Sequence, residues 1–247
     1  MTTLVIPAYN EEKRIARTLE SYLHYFHDDL KILVVLNGCT DDTEGVMRRF
    51  EEKFPGRITH ITIVKGGKGL AIREGFARAD GDLIGFVDAD GATAPAEFSK
   101  LVGNLHGVDG VIASRWMEES QVSERSSSRA VISKAFVLFV KLLFFLPYQD
   151  TQCGAKIFRR SVIEAVLPHL SVSNMAFDVE LLWLIKKCGF TVREVPTAWR
   201  DQSSSAFLGS PAKLMASSAK MLITLFSLRI RFFFIHNVCN KNEKMSS

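Results

Sequence analysis

Two aspartates separated by one residue, Asp88-Ala89-Asp90, follow the apolar run Leu83-Ile84-Gly85-Phe86-Val87. Carboxylates so spaced can hold a hard divalent cation, Mg²⁺ or Mn²⁺, which commonly bridges a few carboxylates and substrate phosphates. Alone, the pattern makes an ordinary turn, since Asp followed by Gly91 suits turn geometry. Four further polar clusters change its meaning, because each also follows an apolar run: Pro7-Ala8-Tyr9-Asn10-Glu11-Glu12, Asn37-Gly38-Cys39-Thr40-Asp41-Asp42, Lys65-Gly66-Gly67-Lys68-Gly69 and Ser114-Arg115. The lysine and glycine cluster lacks the Gly-x-x-x-x-Gly-Lys-Ser/Thr spacing of a nucleoside-triphosphate loop, which excludes that class. Two lysines on a flexible loop opening a helix from Leu70 can still neutralise a diphosphate.

The elements that must position these groups alternate in type. Apolar runs at 4–6, 32–36, 61–64, 83–87 and 111–113 read as strands. Between them, Ile15, Leu19, Tyr22, Leu23 and Phe26 share a helical face, as do Val46, Met47, Phe50 and Phe54, and then Phe98, Leu101, Val102 and Leu105. Strands separated by helices imply an α/β fold with a mainly parallel sheet covered on both faces. In such sheets ligands bind beyond the carboxyl ends of the strands, where all five clusters fall. Some of these residues also suit local work: Asn10, and Thr40, Asp41 or Asp42, can cap the helices that follow, and Glu12 reads as a cap or surface residue.

The chain has 247 residues and a mass of 27.6 kDa, 47% of them apolar and 23% charged. That is enough for a substantial core, and it excludes disorder, small disulfide scaffolds and polytopic membrane proteins. A net charge of +4 does not imply nucleic-acid binding, and no nucleic acid is expected as a partner. The four cysteines, Cys39, Cys153, Cys188 and Cys239, include no Cys-x-x-Cys pair, and are read as reduced thiols in a reducing compartment. The amino terminus lacks the pattern of a signal peptide, so no export is expected.

The clusters at Val5 to Glu12 and from Asn37, with Gly67-Lys68-Gly69-Leu70-Ala71 and Asp88-Ala89-Asp90, resemble those of family 2 inverting glycosyltransferases. These have the GT-A fold of nucleotide-diphospho-sugar transferases, a Rossmann-like, mainly parallel sheet flanked by helices. The second half is more specific: Ser114-Arg115, Arg129 to Ser133, Asp150-Thr151-Gln152-Cys153-Gly154-Ala155-Lys156-Ile157-Phe158, Phe177-Asp178-Val179-Glu180-Leu181, and Trp199-Arg200 before three serines. This set resembles the dolichyl-phosphate glucose and mannose synthases, and the Asp-Thr-Gln-Cys-Gly run is most like the glucosyl branch. The resemblance places Pro7, Ala8, Tyr9, Asn10, Glu11, Asn37, Gly38 and Lys68 around a nucleotide sugar, with Asp88, Ala89 and Asp90 at its diphosphate and Mg²⁺ or Mn²⁺ on the two aspartates. Many relatives carry an aspartate pair where this chain reads Leu36-Asn37, which leaves the base open between UDP and GDP. Asp150, Gln152 and Glu180 fall at the sugar pocket, and Arg115, Arg129, Ser133 and Arg200 at an acceptor phosphate, with Arg125 a weaker candidate.

These assignments imply transfer of a hexose, UDP-glucose being favoured and GDP-mannose the alternative, to dolichyl or polyprenyl phosphate. A lipid phosphate is already anionic near neutral pH and needs no general base, whereas a saccharide hydroxyl would need one, for which Asp178 is the choice. A non-catalytic sugar-nucleotide-binding scaffold is the reading of another class. A polyprenyl acceptor also requires contact with a bilayer. The apolar helix at 134–147 is too short to span, since its thirteen residues from Ala135 to Pro147 reach only ~20 Å against a ~30 Å core. The stretch from Leu214 to Ile235 is interrupted by Lys220, Arg229 and Arg231. The division expected is therefore a catalytic domain over 1–210, amphipathic membrane-associated helices over 211–236 and a polar tail over 237–247. Peripheral or monotopic attachment at a cytoplasmic membrane face follows, with dimerisation another way to hide these faces.

Overall fold

Alternation along the central strands decides the layering. In β1 (Thr2–Ala8) Leu4, Ile6 and Ala8 pack into one core cluster while Val5 packs into the other; in β2 (Leu30–Asn37) Ile32, Val34 and Leu36 oppose Leu33 and Val35. Both faces of these strands are apolar, so each must be covered. The computed structural model describes residues 1–123, 127–200 and 211–234, with the backbone alone over 127–135, 211–219 and 233–234.

The first half follows the expected order: β1, α1 (Ile15–Phe26), β2, α2 (Thr43–Lys53), β3 (Ile58–Ile63), α3 (Lys68–Arg78), β4 (Leu83–Phe86), α4 (Pro95–Gly103) and β5 (Gly110–Ser114). β6 (Gln121–Ser123), α5 (Ser127–Phe144), β7 (Lys156–Arg159), α6 (Arg160–Val166), α7 (Phe177–Lys187), β8 (Val192–Pro196), β9 (Ala198–Arg200) and α8 (Pro211–Phe234) complete it. The main sheet runs β3-β2-β1-β4-β7-β5-β8, and β6 pairs with β9 apart from it. All main-sheet pairings are parallel except those of β7, which lies antiparallel between β4 and β5. The chain moves outward from β1 through β2 and β3, then returns to place β4 on β1's other side. A crevice therefore opens between the carboxyl ends of β1 and β4, the switch point where α/β sheets bind ligands.

The sequence reading misplaced two details. β3 covers 58–63 rather than 61–64, and Val64 is 97% exposed; on the sheet edge one face of the strand looks to solvent. Cys39 and Cys153 are free thiols, but Cys188 is disulfide-bonded, against the expectation of four reduced thiols.

The two apolar helices are neither wholly buried nor wholly exposed. Val140 and Phe144 of α5 and Leu225, Leu228 and Phe232 of α8 enter the core on the α3 and α7 face. Phe232 stacks on Trp183 of α7 with ring centroids 3.5 Å apart, and Phe226 meets Phe139 edge-on. Their outer faces leave Leu138, Leu142, Phe145, Leu222, Ile223, Phe226 and Ile230 exposed. No helix among the described residues is long and apolar enough to cross a membrane.

Candidate active site

The crevice between β1 and β4 is assembled from loops tied to one another. After β1, Asn10 takes φ 55°, and its side-chain oxygen accepts a hydrogen bond from the Thr40 amide at 2.8 Å. Asn10 thus joins the first two loops rather than capping a helix; α1 starts at Ile15 with no side-chain cap. The Glu11 amide donates to Thr43 Oγ1 at 2.9 Å, and Asp41 accepts from the Thr43 hydroxyl and from the Glu12 amide. Asn37 is buried; its Nδ2 donates to the Ala8 carbonyl at 2.7 Å and its Oδ1 accepts from the Gly67 amide at 3.0 Å. Its side chain therefore fastens the lysine loop to the sheet. Tyr9 is exposed beside it, and Gly38 takes φ 71°.

Lys68 opens α3 and its Nζ lies 2.6 Å from Asp88 Oδ1. Burial alone would favour the neutral amine, but the charges of Asp88, Asp178 and Asp90 override it and raise the lysine above its ordinary range. Gly154 packs so closely against the Asp88 carboxylate that any side chain there would displace it. Asp90 Oδ1 accepts from the Ala92 amide at 3.0 Å, and Thr18 donates to the Ala89 carbonyl at 2.9 Å, fixing the turn. Burial, and next the Asp88 charge, push the Asp90 carboxyl upward. Glu11, similarly raised by burial although Arg14 grips it through two bonds of 2.7 and 2.6 Å, faces the same region.

Asp88 and Asp90 form an all-oxygen pair whose mutual repulsion a hard cation would relieve, so the residues fit Mg²⁺ or Mn²⁺. No third His, Cys, Asp or Glu joins them among the described residues, which leaves further positions to phosphate and water.

The core beside Asp178 holds a residue to which the sequence reading gave no role. Lys156 is fully buried on β7; its Nζ is 2.6 Å from both Asp178 Oδ1 and the Cys153 carbonyl, and 5.2 Å from the centre of the Phe86 ring. Asp178 Oδ2 is buried without a partner among the described residues, and so are Gln152 Nε2 and Thr151 Oγ1. A lysine at the start of a short strand reads as solvent-facing, which is why the sequence reading gave it no role although it stands in the Asp150 to Phe158 run.

Arg115 and Asp150, assigned by sequence to different subsites, meet. The guanidinium donates to the carboxylate at 2.7 and 3.0 Å, and the Arg115 amide adds a third bond at 3.1 Å. Burial would raise the Asp150 carboxyl, yet Arg115 holds it below the usual range. The Arg115 guanidinium lies 5.3 Å from the Trp199 ring centre. Trp199 and Arg200 in turn line a cavity of about 780 Å³ with Asp90, Arg14 and Arg17. Glu180 is not brought to the crevice: it is fully buried and accepts from the Ser171 amide and hydroxyl and the Val172 amide. The side chains of Arg129 and Ser133, with Arg125 and the serines at 203–205, lie outside the described residues.

An open α/β sheet with a lysine and an aspartate pair at its switch point suits a phosphate-bearing ligand and a hard cation. Residues 3–167 match the family model Glycosyl transferase family 2, and the chain belongs to that family. It is a glycosyltransferase. It is 29% identical over 247 residues to the dolichyl-phosphate beta-glucosyltransferase of Dictyostelium discoideum, covering 93% of this chain and 74% of that protein. The human dolichyl-phosphate beta-glucosyltransferase is 31% identical over 221 residues, 82% of this chain and 68% of its own. Among solved structures, glucosyl-3-phosphoglycerate synthase from Mycobacterium tuberculosis, in complex with Mn²⁺, UDP-glucose and phosphoglyceric acid, superposes with a TM-score of 0.68 at 20% identity. The match covers 93% of this chain and 79% of that one, and fixes the fold as GT-A.

Proposed function

We propose that this enzyme transfers glucose from UDP-glucose to the phosphate of dolichyl or another polyprenyl phosphate, with inversion at the anomeric carbon. The observation that carries the reading is similarity along 93% of the chain to a protein named for that activity. The site is consistent with it. Lys68, kept charged by its aspartates, is placed to neutralise a diphosphate as it leaves. Asp88 and Asp90 would hold Mg²⁺ or Mn²⁺, which when bound supplies Lewis-acid charge to the same diphosphate. Gln152 Nε2, without a partner among the described residues, is a polar group that a sugar hydroxyl could satisfy. Arg200 and Arg115, with Arg129 and Ser133, are assigned to the acceptor phosphate, whose geometry guanidinium groups match.

A phosphate nucleophile arrives deprotonated, and the geometry favours it over a hydroxyl. Asp178, the base a hydroxyl would need, is 1% exposed and bound to Lys156. The body over 1–210 is read as catalytic, and the outer faces of α5 and α8 as a membrane-contact surface that keeps the protein peripheral or monotopic on the cytoplasmic side; 237–247 lie outside the described residues.

Label transfer from UDP-glucose, other UDP-hexoses and GDP-mannose to a short polyprenyl phosphate, with Mn²⁺, Mg²⁺ or chelator, tests the reaction. Chelator-sensitive labelled lipid from UDP-glucose is expected. Labelled lipid from GDP-mannose alone would reassign the donor. No labelled lipid from any donor, in protein that binds UDP, would sink the lipid-phosphate reading.

A further inference from the structure

The lysine loop leans on a second loop that has no part in the chemistry. A Cβ on Gly67, which takes φ 149°, would stand 2.4 Å from the Ser173 carbonyl oxygen, and one on Gly69 would stand 2.6 Å from the Val172 carbonyl and 2.9 Å from that of Asn174. The Leu70 amide donates to the Ser173 carbonyl at 3.2 Å. Residues 172–174 therefore form a backbone wall against which the first turn of α3, and Lys68 with it, is seated.

That wall is held from its other side by α8. Asn174 Nδ2 donates to Thr224 Oγ1 of α8 at 2.8 Å, while Asn174 Oδ1 accepts from the Ala176 amide at 2.9 Å. Arg231 of α8 donates to the Ser171 hydroxyl and, from 3.5 Å, to Glu180 Oε1; its second terminal nitrogen donates to the His169 carbonyl at 3.4 Å. Glu180 gathers the Ser171 and Val172 amides on the same spot, at 3.0 and 2.8 Å. The burial of Glu180 and its three kinds of donor make this a built clamp, unlike an exposed ion pair of small effect.

We infer that Asn174, Glu180 and Arg231 are positioning residues for Lys68, and that α8 sets donor affinity by clamping residues 171–174 beneath the lysine loop. Because α8 is also the helix read as meeting the bilayer, an inference that rests on the proposed function, membrane contact and donor binding are coupled through this wall. The coupling is reciprocal: a bilayer that orders α8 tightens the donor, and the donor tightens the bilayer contact by the same factor. Thr224 and Arg231 touch the wall and not the crevice, so their loss acts on Lys68 only through 171–174.

The experiment is calorimetric binding of UDP with Mn²⁺ to the full chain, and to Asn174→Ala, Thr224→Val and Arg231→Met variants, with and without phosphatidylserine-containing vesicles. Each variant is expected to bind UDP about tenfold more weakly, with Asn174→Ala and Thr224→Val non-additive because they remove the same bond. Vesicles are expected to tighten UDP binding in the parent and much less in Arg231→Met. In turnover, the KM for UDP-glucose rises while kcat changes little, a split that general loss of folded protein would not produce. Variants that bind UDP like the parent would overturn the inference, and so would a parent whose UDP affinity ignores vesicles. Absence of UDP binding in the parent would instead strike at the proposed function. Should Arg231→Met fail to fold, Thr224→Val, which is nearly isosteric, decides the matter.

Discussion

Lys156 and Asp178 occupy fully buried positions, and their bond has two possible purposes. If it serves only to neutralise charge in the core, an apolar pair of similar volume should replace it at little cost. If it also holds charge near Lys68, the replacement should restore stability without activity. Lys156→Met alone is expected to lose about 3–5 kcal/mol, because it leaves a buried carboxylate uncompensated. Combining it with Asp178→Leu is expected to recover most of that in urea unfolding while transfer stays low, since Lys68, still protonated, loses one of the carboxylate charges that act on it. Full recovery of turnover in the double variant would reduce the pair to a packing device. Lys68 itself belongs at the same scale. Lys68→Met removes the one cation touching Asp88 among the described side chains. It is expected to lower kcat/KM by about 10²–10³, the range found when one group stabilising transition-state charge is deleted.

At the scale of elements, the strands through β5 were legible and those after it were not. The runs at 32–36 and 83–87 announced themselves because strands buried on both faces are continuously apolar, and the helices because only one face of each is. The polar clusters at the strand ends could be placed on one rim because strand direction in a βα repeat leaves no choice. β7 escaped: four residues long, beginning with a lysine and ending with an arginine, it carries the signature of an exposed segment and runs against its neighbours. Its consequence reaches the site, for the turn before β7 delivers Asp150 to Arg115 as well as Gly154 to Asp88. Which charged residues pair across such a turn depends on tertiary placement that spacing does not encode. The Arg115 and Asp150 pair has a pH signature. A carboxyl held below its unfolded value of 3.8 adds stability that is fully present above that value and lost as pH falls through the folded one. The stability gap between parent and Asp150→Asn, about 3–5 kcal/mol at pH 7 from stranding Arg115, should hold from pH 8 to 5 and narrow below pH 4 in urea titrations. A gap that stays constant down to pH 3 would show that Arg115 does not set the Asp150 titration.

For the whole molecule, the question is what covers the outer faces of α5 and α8. Leu142, Phe145 and Ile223 are 68%, 69% and 68% exposed, and both helices are anchored by their opposite faces, so the apolar side cannot turn inward without tearing Phe232 from Trp183. Exposed patches of this kind seek a partner. Lys141 on α5 and Lys220 on α8 flank the patch with positive charge, which suits anionic headgroups, each basic residue adding ~1 kcal/mol near such a surface, and suits a second copy of the same cationic face poorly. Binding to phosphatidylserine vesicles in sedimentation is therefore expected, weakening as salt rises. Ile223→Glu with Leu142→Glu should reduce it at least tenfold, because carboxylates would have to enter the headgroup region where two apolar side chains now fit. Transfer to a vesicle-borne polyprenyl phosphate should then fall further than transfer to a water-soluble short-chain phosphate, since only the first acceptor must be met at the bilayer. If instead the parent ignores vesicles and sediments as a dimer that the two glutamates dissociate, the faces cover each other, and the acceptor reaches the crevice without help from α8.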